Sequence, residues 1–371
     1  MRLLSQVVLL ATAVSAEEVL LGNTFEGRPI LAHKLPARSV STDPAHVVVE
    51  CGSQGNDWNA VAFCESLVTY LSSSDSETSS LSQVDWTIIP KLNPDGYEYS
   101  KSVDSNWRKN RKASNIGCDG VNIMHNFPVH FFNNVNSCGQ DFSGTTGASE
   151  EETQALLSVS AFDAFFSVMD EGDKVVFPFT TSYLSNEHED LKDVKTAAEG
   201  IARFMTTSSG DRYQAVEALD YEATHNPGSI LDWAYTKTNY AFGVFMDSTK
   251  EEANQPIQQL KLISALESFV ENYLANRPVV KKDDNAGWRG IFDGPNVEVY
   301  RKIPFAKAPI DNLRFRLPSE PKDLSKISNN QGSVACIQSN TLVPSEMQSE
   351  DCLYLNIYKP VEPSAEKLPV K

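Results

Sequence analysis

Arg108, Lys109 and Arg111 place three cations within five residues of a chain whose acidic residues outnumber its basic ones 49 to 32. On spacing alone such a knot reads as a solvated loop. Before it, Asn93-Pro94-Asp95-Gly96-Tyr97 has the composition of a turn: Pro fixes φ, Asp bonds its own backbone, and Gly accepts positive φ. After it runs Gly120-Val121-Asn122-Ile123-Met124-His125-Asn126-Phe127. Zinc-assisted hydrolysis needs three firm ligands and an open position for water, whose pKa the ion lowers to about 7. None of the six histidines begins an H-x-x-E or H-x-x-x-H pair, so no ready zinc turn is on offer.

The order and spacing of these three blocks resemble the zinc carboxypeptidase family of the pancreatic A/B type. There an N-P-D-G-Y turn precedes a W-R-K-(N/T)-R segment, here Trp107-Arg108-Lys109-Asn110-Arg111, and then a strand ending D-L-N-R-N-F. The resemblance spans about Leu21 to Ala275. It includes Gly22 to Arg28 and Leu231-Asp232-Trp233-Ala234-Tyr235, which lies near the family's substrate pocket. It implies three ligands, the His and Glu of an H-x-x-E turn and a later His, with a Glu near the C-terminal end activating the water.

Alignment on Gly52 and Trp58 puts Gln54 and Asp57 at the first two ligand positions. Alignment on Ser167-Val168 and Pro178 puts Met169 at the third. A Gln carbonyl is a feeble zinc ligand, and a thioether suits softer ions. Alignment through Tyr240 and Phe242 puts Phe245 at the general-base position. Met124-His125 replaces the Asn-Arg pair that grips a substrate carboxylate, Asn56 replaces the Arg of the ligand turn, and a substrate-loop Tyr falls at about Thr224. Arg108 keeps the oxyanion-stabilising position. Leu231 holds the specificity position and implies apolar C-terminal side chains. On this reading the substrate-binding residues are Arg108 and Leu231, no catalytic base or metal ligand set survives, and no cofactor is expected.

Past Pro278 the pattern changes. Ile303-Pro304-Phe305-Ala306-Lys307-Ala308-Pro309-Ile310-Asp311-Asn312-Leu313-Arg314-Phe315 and Ser349-Glu350-Asp351-Cys352-Leu353-Tyr354-Leu355-Asn356-Ile357-Tyr358 resemble segments of the type B carboxylesterases. That resemblance covers about Asn285 to Lys371. Esterase chemistry needs a Ser on a G-x-S-x-G elbow and an H-G-G-G-type donor loop. Neither occurs in this tail, so esterase activity is excluded. Its strands lack a sheet to join and call for a partner to cover them.

The elements that must carry these residues follow from periodicity. Val47–Cys51, Trp86–Pro90, Phe165–Val168, Lys174–Phe179 and Tyr240–Met246 are apolar runs of strand length. Ala60–Leu71, the Leu191–Met205 stripe and Ile257–Leu274 repeat at helical spacing. Ser149-Glu150-Glu151-Glu152 reads as a capping box, and Ser72–Ser82 as a Ser-rich loop. Strands alternating with helices predict an α/β fold: a mixed, mostly parallel sheet with flanking helices, followed by a β-rich partial α/β-hydrolase segment. Residues 1–16 read as a secretory signal peptide, 17–276 as the carboxypeptidase-like domain, 277–284 as a linker and 285–371 as the truncated esterase-like segment.

Six cysteines suit the oxidising secretory route. Pairing sequence neighbours gives Cys51/Cys64, Cys118/Cys138 and Cys336/Cys352, one of many connectivities. The carboxypeptidase resemblance supports the first two, and the esterase resemblance the third. A net charge of −17 argues against nucleic acid as a partner, and no later stretch has the length of a membrane span. The expected function is a secreted carboxypeptidase-like protein without peptidase activity that binds peptide or protein. The competing reading is an active zinc metallocarboxypeptidase removing apolar C-terminal residues. A further alternative is an artefactual merging of two neighbouring genes.

Overall fold

The computed structural model describes residues 15–38, 44–115, 117–132, 136–159, 162–170, 172–180, 191–206, 212–221, 228–246, 255–275, 277–281, 287–293, 297–321, 327–328, 335–339 and 348–361. The expected signal peptide (all but its last two residues) and Thr224 lie outside them.

The body is built on strands β1 (Glu17–Asn23), β2 (Pro29–Leu35), β3 (His46–Cys51), β4 (Asp85–Ile89), β5 (Ala164–Asp170), β6 (Lys174–Phe177), β7 (Gln214–Glu217) and β8 (Ala241–Met246). They form one eight-stranded sheet in the order β1-β2-β4-β3-β5-β8-β6-β7. The central run β4-β3-β5-β8 is parallel, as is β6-β7. The β1/β2, β2/β4 and β6/β8 pairs are antiparallel. Every residue of β5 and β8 is buried, the state expected of parallel strands covered on both faces.

Helices α1 (Trp58–Ser72), α2 (Pro94–Ser102), α3 (Glu151–Leu157), α4 (Leu191–Met205), α5 (Ala218–Tyr221), α6 (Ile230–Tyr235) and α7 (Gln255–Phe269) complete the body. Phe269 of α7 meets Phe166, Tyr240 and Phe242 edge-on at 5.3–5.6 Å. Trp233 of α6 stacks on Phe127 at 5.0 Å and meets Phe162 and Phe165. These aromatic clusters pin helices to the central strands. The expected helix through Leu274 is there, although its last turn, Val270–Leu274, widens to π geometry. The Ser-rich loop is also more ordered than its composition suggests. Two 3₁₀ turns form in it, and Ser79 and Ser80 donate to the Glu267 carboxylate and carbonyl.

Two local expectations need correcting. Asn93-Pro94-Asp95-Gly96-Tyr97 does not make an isolated turn; it starts α2. Asn93 is the N-cap, accepting from Gly96 N–H at 2.9 Å, and Pro94 opens the helix. Asp95 bonds the first hairpin rather than its own backbone: it accepts from Thr24 Oγ1, Glu26 N and Arg28 Nη1. Gly96 serves close approach, because a Cβ there would stand 2.4 Å from the Lys109 carbonyl. The second correction concerns α3. Its N-cap is Glu150, with no side-chain cap bond, and Ser149 Oγ donates to the Glu150 carboxylate instead.

All three neighbour disulfides form: Cys51–Cys64, Cys118–Cys138 and Cys336–Cys352. The first ties the end of β3 to α1. In the C-terminal part, β9 (Val279–Lys281), β10 (Gly287–Arg289), β11 (Ile291–Asp293), β12 (Val297–Pro304), β13 (Ile327–Ser328), β14 (Ala335–Cys336), β15 (Gln348–Ser349) and β16 (Tyr354–Pro360) make small sheets. The largest pairs β12 with both β11 and β16. Strand β16 is an edge, with Leu355, Ile357 and Tyr358 exposed.

One ionisable side chain sits inside the sheet itself. Glu50 of β3 lies opposite Ser167 of β5, is fully buried, and accepts from the Ser167 hydroxyl through Oε1. Its Oε2 has no hydrogen-bond partner among the described residues. Burial pushes the carboxyl up to about 8, against the pull of the Ser167 bond.

Two predictions follow from this packing. Gly96→Ala should cost about 1–3 kcal/mol in urea unfolding, since backbone rather than a flexible side chain lies in the way; an unchanged midpoint contradicts the close approach. A raised Glu50 pKa means the folded state keeps a proton that the unfolded chain gives up above about 4.5. Folding stability should therefore fall as pH rises from about 4.5 to about 8, with a limiting slope of about 1.4 kcal/mol per unit, and level off above. Glu50→Gln should lack that component. Parallel pH–stability curves for the two proteins would exclude the assignment.

Candidate functional site

The loop from Gly52 to Asp57 leaves the C-terminal end of β3, the end of a parallel sheet where ligands usually sit. Gly52 turns the chain with φ of +68°, where a Cβ would stand 2.8 Å from Val61. Asn93 N–H donates to the Gly52 carbonyl and Gly55 N–H to the Arg108 carbonyl, both at 2.9 Å. A Cβ on Gly55 would meet the Gly96 and Trp107 backbones at 2.6–2.7 Å. The loop, the start of α2 and the Trp107–Arg111 segment are thus one packed unit.

Asp57 is fully buried at the foot of this loop. Its Oδ2 accepts from Gln54 N–H at 2.9 Å and its Oδ1 from Asp170 N–H at 3.0 Å. Asp170, at the end of β5, turns its own carboxylate to Asn59 and Ala60 N–H at 2.9 and 3.0 Å, capping the first turn of α1. Burial, then the neighbouring Asp170 charge, holds the Asp57 carboxyl well above the ordinary Asp range. Burial likewise raises Asp170. Each Asp57 oxygen already holds a backbone amide.

Gln54 does not face Asp57. Its amide nitrogen donates to Met124 Sδ at 2.9 Å. Met124 lies in a short 3₁₀ turn, Ile123–His125, capped by Asn122. His125 is buried, and its Nδ1 has no hydrogen-bond partner among the described residues. Asn126 anchors the turn to α3 by donating to the Ser143 carbonyl and accepting from Thr153 Oγ1.

Met169, Phe245 and Leu231 meet around Gly243. Met169 and Phe245 are directly paired across β5 and β8. A Cβ on Gly243 would stand 3.3 Å from Leu231 Cδ1, 3.3 Å from Phe245 Cε2 and 3.4 Å from Met169 Cε. All three side chains are buried. Ser229 caps α6 and sets the position of Leu231 by accepting from its N–H. Positions that the resemblance assigns to a ligand, a base and a specificity residue therefore share one apolar contact. Arg108 is half-buried at the rim, with its N–H directed at Gln140 Oε1 at 3.4 Å.

These residues do not fit a zinc ion. One amide turned to a thioether, one carboxylate already holding a backbone amide on each oxygen and one thioether in an apolar cluster are a poor match for three firm zinc ligands with an open position. Elsewhere, Glu150, Glu151 and Glu152 bring carboxylate oxygens within 4.8 Å of one another. Their cation is Lys112, whose Nζ lies 3.1 Å from Glu151 and 4.0 Å from Glu150, while Asn110 donates to Glu150 and Glu152.

Sequence reading missed the part played by Glu50 and Asp170. An acid inside the apolar run Val47–Cys51 was a visible signal for Glu50. Asp170 gave none, because its hydrogen-bond partners lie 110 positions away.

With this geometry in place, the chain can be compared with known proteins. Residues 12–270 match the family described as "Zinc carboxypeptidase", and residues 288–370 match the "Carboxylesterase family". Carboxypeptidase O of Bos taurus is 28% identical over 279 residues, covering 68% of this chain and 73% of its own length. The inactive metallocarboxypeptidase ECM14 of Saccharomyces cerevisiae is 26% identical over 250 residues, covering 62% of this chain and 58% of that protein. Its Uncinocarpus reesii counterpart is also 26% identical, and the matched region is 46% of that longer protein. Among solved structures, thrombin activatable fibrinolysis inhibitor superposes with a TM-score of 0.63 at 22% identity, covering 69% of each chain. Carboxypeptidase A of Helicoverpa armigera gives 0.61 at 18% identity, covering 70% of this chain and 68% of that one. At these identities the superpositions speak for the fold: a mixed, mostly parallel sheet between helices. The match over residues 12–270 takes in well over half of the sequence, and on it the chain belongs to the zinc carboxypeptidase family.

Proposed function

We propose that this metallocarboxypeptidase-like protein is a secreted, catalytically inactive member of its family that binds a peptide or another protein. The observation carrying the proposal is Asp57. Each Asp57 oxygen already accepts a buried backbone amide, Gln54 N–H on Oδ2 and Asp170 N–H on Oδ1, so the carboxylate is oriented by the loop and by β5. Gln54 and Met169 offer a metal little, and Phe245 cannot take a proton from water. Several relatives are themselves named inactive metallocarboxypeptidases, which supports the same reading. Secretion is proposed from the N-terminal apolar run and three disulfides. For binding, half-buried Arg108 supplies a cation at the rim of the former cleft, suited to a carboxylate on an incoming peptide. Leu231, packed against Gly243 beside Met169 and Phe245, supplies an apolar surface suited to an apolar side chain.

Incubation with peptides ending in Leu or Phe, in zinc-buffered solution, should leave their masses unchanged. Release of the terminal residue that a chelator abolishes would overturn the proposal. Fluorescence anisotropy with a labelled peptide ligand should show roughly tenfold weaker binding for Arg108→Ala, the loss of one charge-assisted contact. Equal affinity would place the ligand elsewhere.

A further inference from the structure

Asp163 lies at the opposite end of the sheet from the candidate site, one residue before β5 begins. It is 1% exposed. Arg277 Nη1 bonds its Oδ1, and Arg277 Nη2 donates to the Asp163 carbonyl at 3.2 Å. Arg289 Nη1 stands 3.5 Å from Oδ2, and His46 N–H donates to the same oxygen at 2.7 Å. The arginine side chains are only 2% and 5% exposed. Two guanidinium groups thus share one carboxylate out of water, with the Tyr240 ring 5.7 Å from Arg277. Buried cations of this kind persist only where an anion holds them.

The chain positions of these arginines give the cluster its meaning. Arg277 follows the carboxypeptidase match, which ends at residue 270, and Arg289 opens the carboxylesterase match, which begins at 288. The strand that follows Arg277 and the strand that carries Arg289 are tied together. β9 pairs antiparallel with β10, and Gly290 N–H donates to the Pro278 carbonyl at 2.8 Å. Farther along, Val299 of β12 is 1% exposed within the hydrophobic core of the body, and Val297 packs against it. Charge therefore brings Arg277 and Arg289 to the end where β3 and β5 begin, and apolar burial ties β12 to the core of the body as well.

We propose that Asp163 is the docking point for the carboxylesterase-like segment, holding Arg277 and Arg289, and with them β9 and β10, against the strand-start end of the carboxypeptidase sheet so that both family segments fold as one unit. The Gly52–Asp57 loop leaves the other end of β3 from the one that carries the Asp163 cluster. Ligand binding at the cleft and tail attachment are then separate properties of one molecule. This inference stands independently of whether the cleft binds a peptide.

Proteinase K digestion of the full chain, followed by intact-mass spectrometry, tests it. The wild-type chain should resist cleavage between residues 277 and 297. Arg289→Met keeps the side-chain bulk but removes one of the two cations on Asp163, and should speed that cleavage at least tenfold while circular dichroism shows the chain still folded. Asp163→Asn, if it folds, should be cleaved as fast as Arg289→Met. Equal cleavage rates for wild type and Arg289→Met, whether both fast or both slow, would overturn the proposal.

Discussion

The site end of this fold depends on the Asp57 carboxylate. It closes the loop after β3 through Gln54 N–H and fastens that loop to β5 through Asp170 N–H. Asp170 in turn satisfies two of the N–H groups that start α1. A buried helix end and a buried loop both need such partners. The two acids supply them, and removing either would strand amides in the interior. The loop geometry is held by main-chain hydrogen bonds to Asp57.

Once the loop is fixed this way, the rest of the cleft can change character. Gly243 leaves a gap that Met169, Leu231 and Phe245 fill with carbon and sulfur. Gln54 turns to Met124, a weak acceptor, rather than toward a cation. The resulting environment disfavours charge, and the raised pKa values of Glu50, Asp57 and Asp170 all reflect it. Burial dominates each of them. Activation of water for peptide hydrolysis needs the reverse: a strong local cation and a base ready to accept a proton.

Much of this could be read from the sequence. Long apolar runs such as Val47–Cys51 and Tyr240–Met246 specify buried central strands by composition alone, and the Leu191–Met205 stripe specifies its helix. The substitutions at Gln54, Asp57, Met169 and Phe245 were visible by alignment on Gly52, Trp58, Ser167 and Tyr240. Interactions between residues far apart in the chain were not visible. Composition made Asn93–Tyr97 a turn because Pro, Asp and Gly favour turns, whereas the tertiary bonds of Asp95 to Thr24 and Arg28 and the approach of the Lys109 backbone to Gly96 make it a helix start. Ser149 had the spacing of a cap, but Glu150 takes the position because Asn110 and Asn126 hold it from outside the helix. The join between the two family segments likewise reads as a change of composition, and only the fold brings Asp163 to Arg277 and Arg289.

The central proposal is that this carboxypeptidase-family scaffold holds its loop by main-chain hydrogen bonding around Asp57 and binds no zinc there. Elemental analysis tests it most directly: the purified full chain is exposed to excess zinc, desalted, and its zinc content measured per chain. The account predicts far less than one zinc per chain, with no difference between wild type and Asp57→Asn. One tightly held zinc per chain, lost in Asp57→Asn while the variant remains folded, would contradict it.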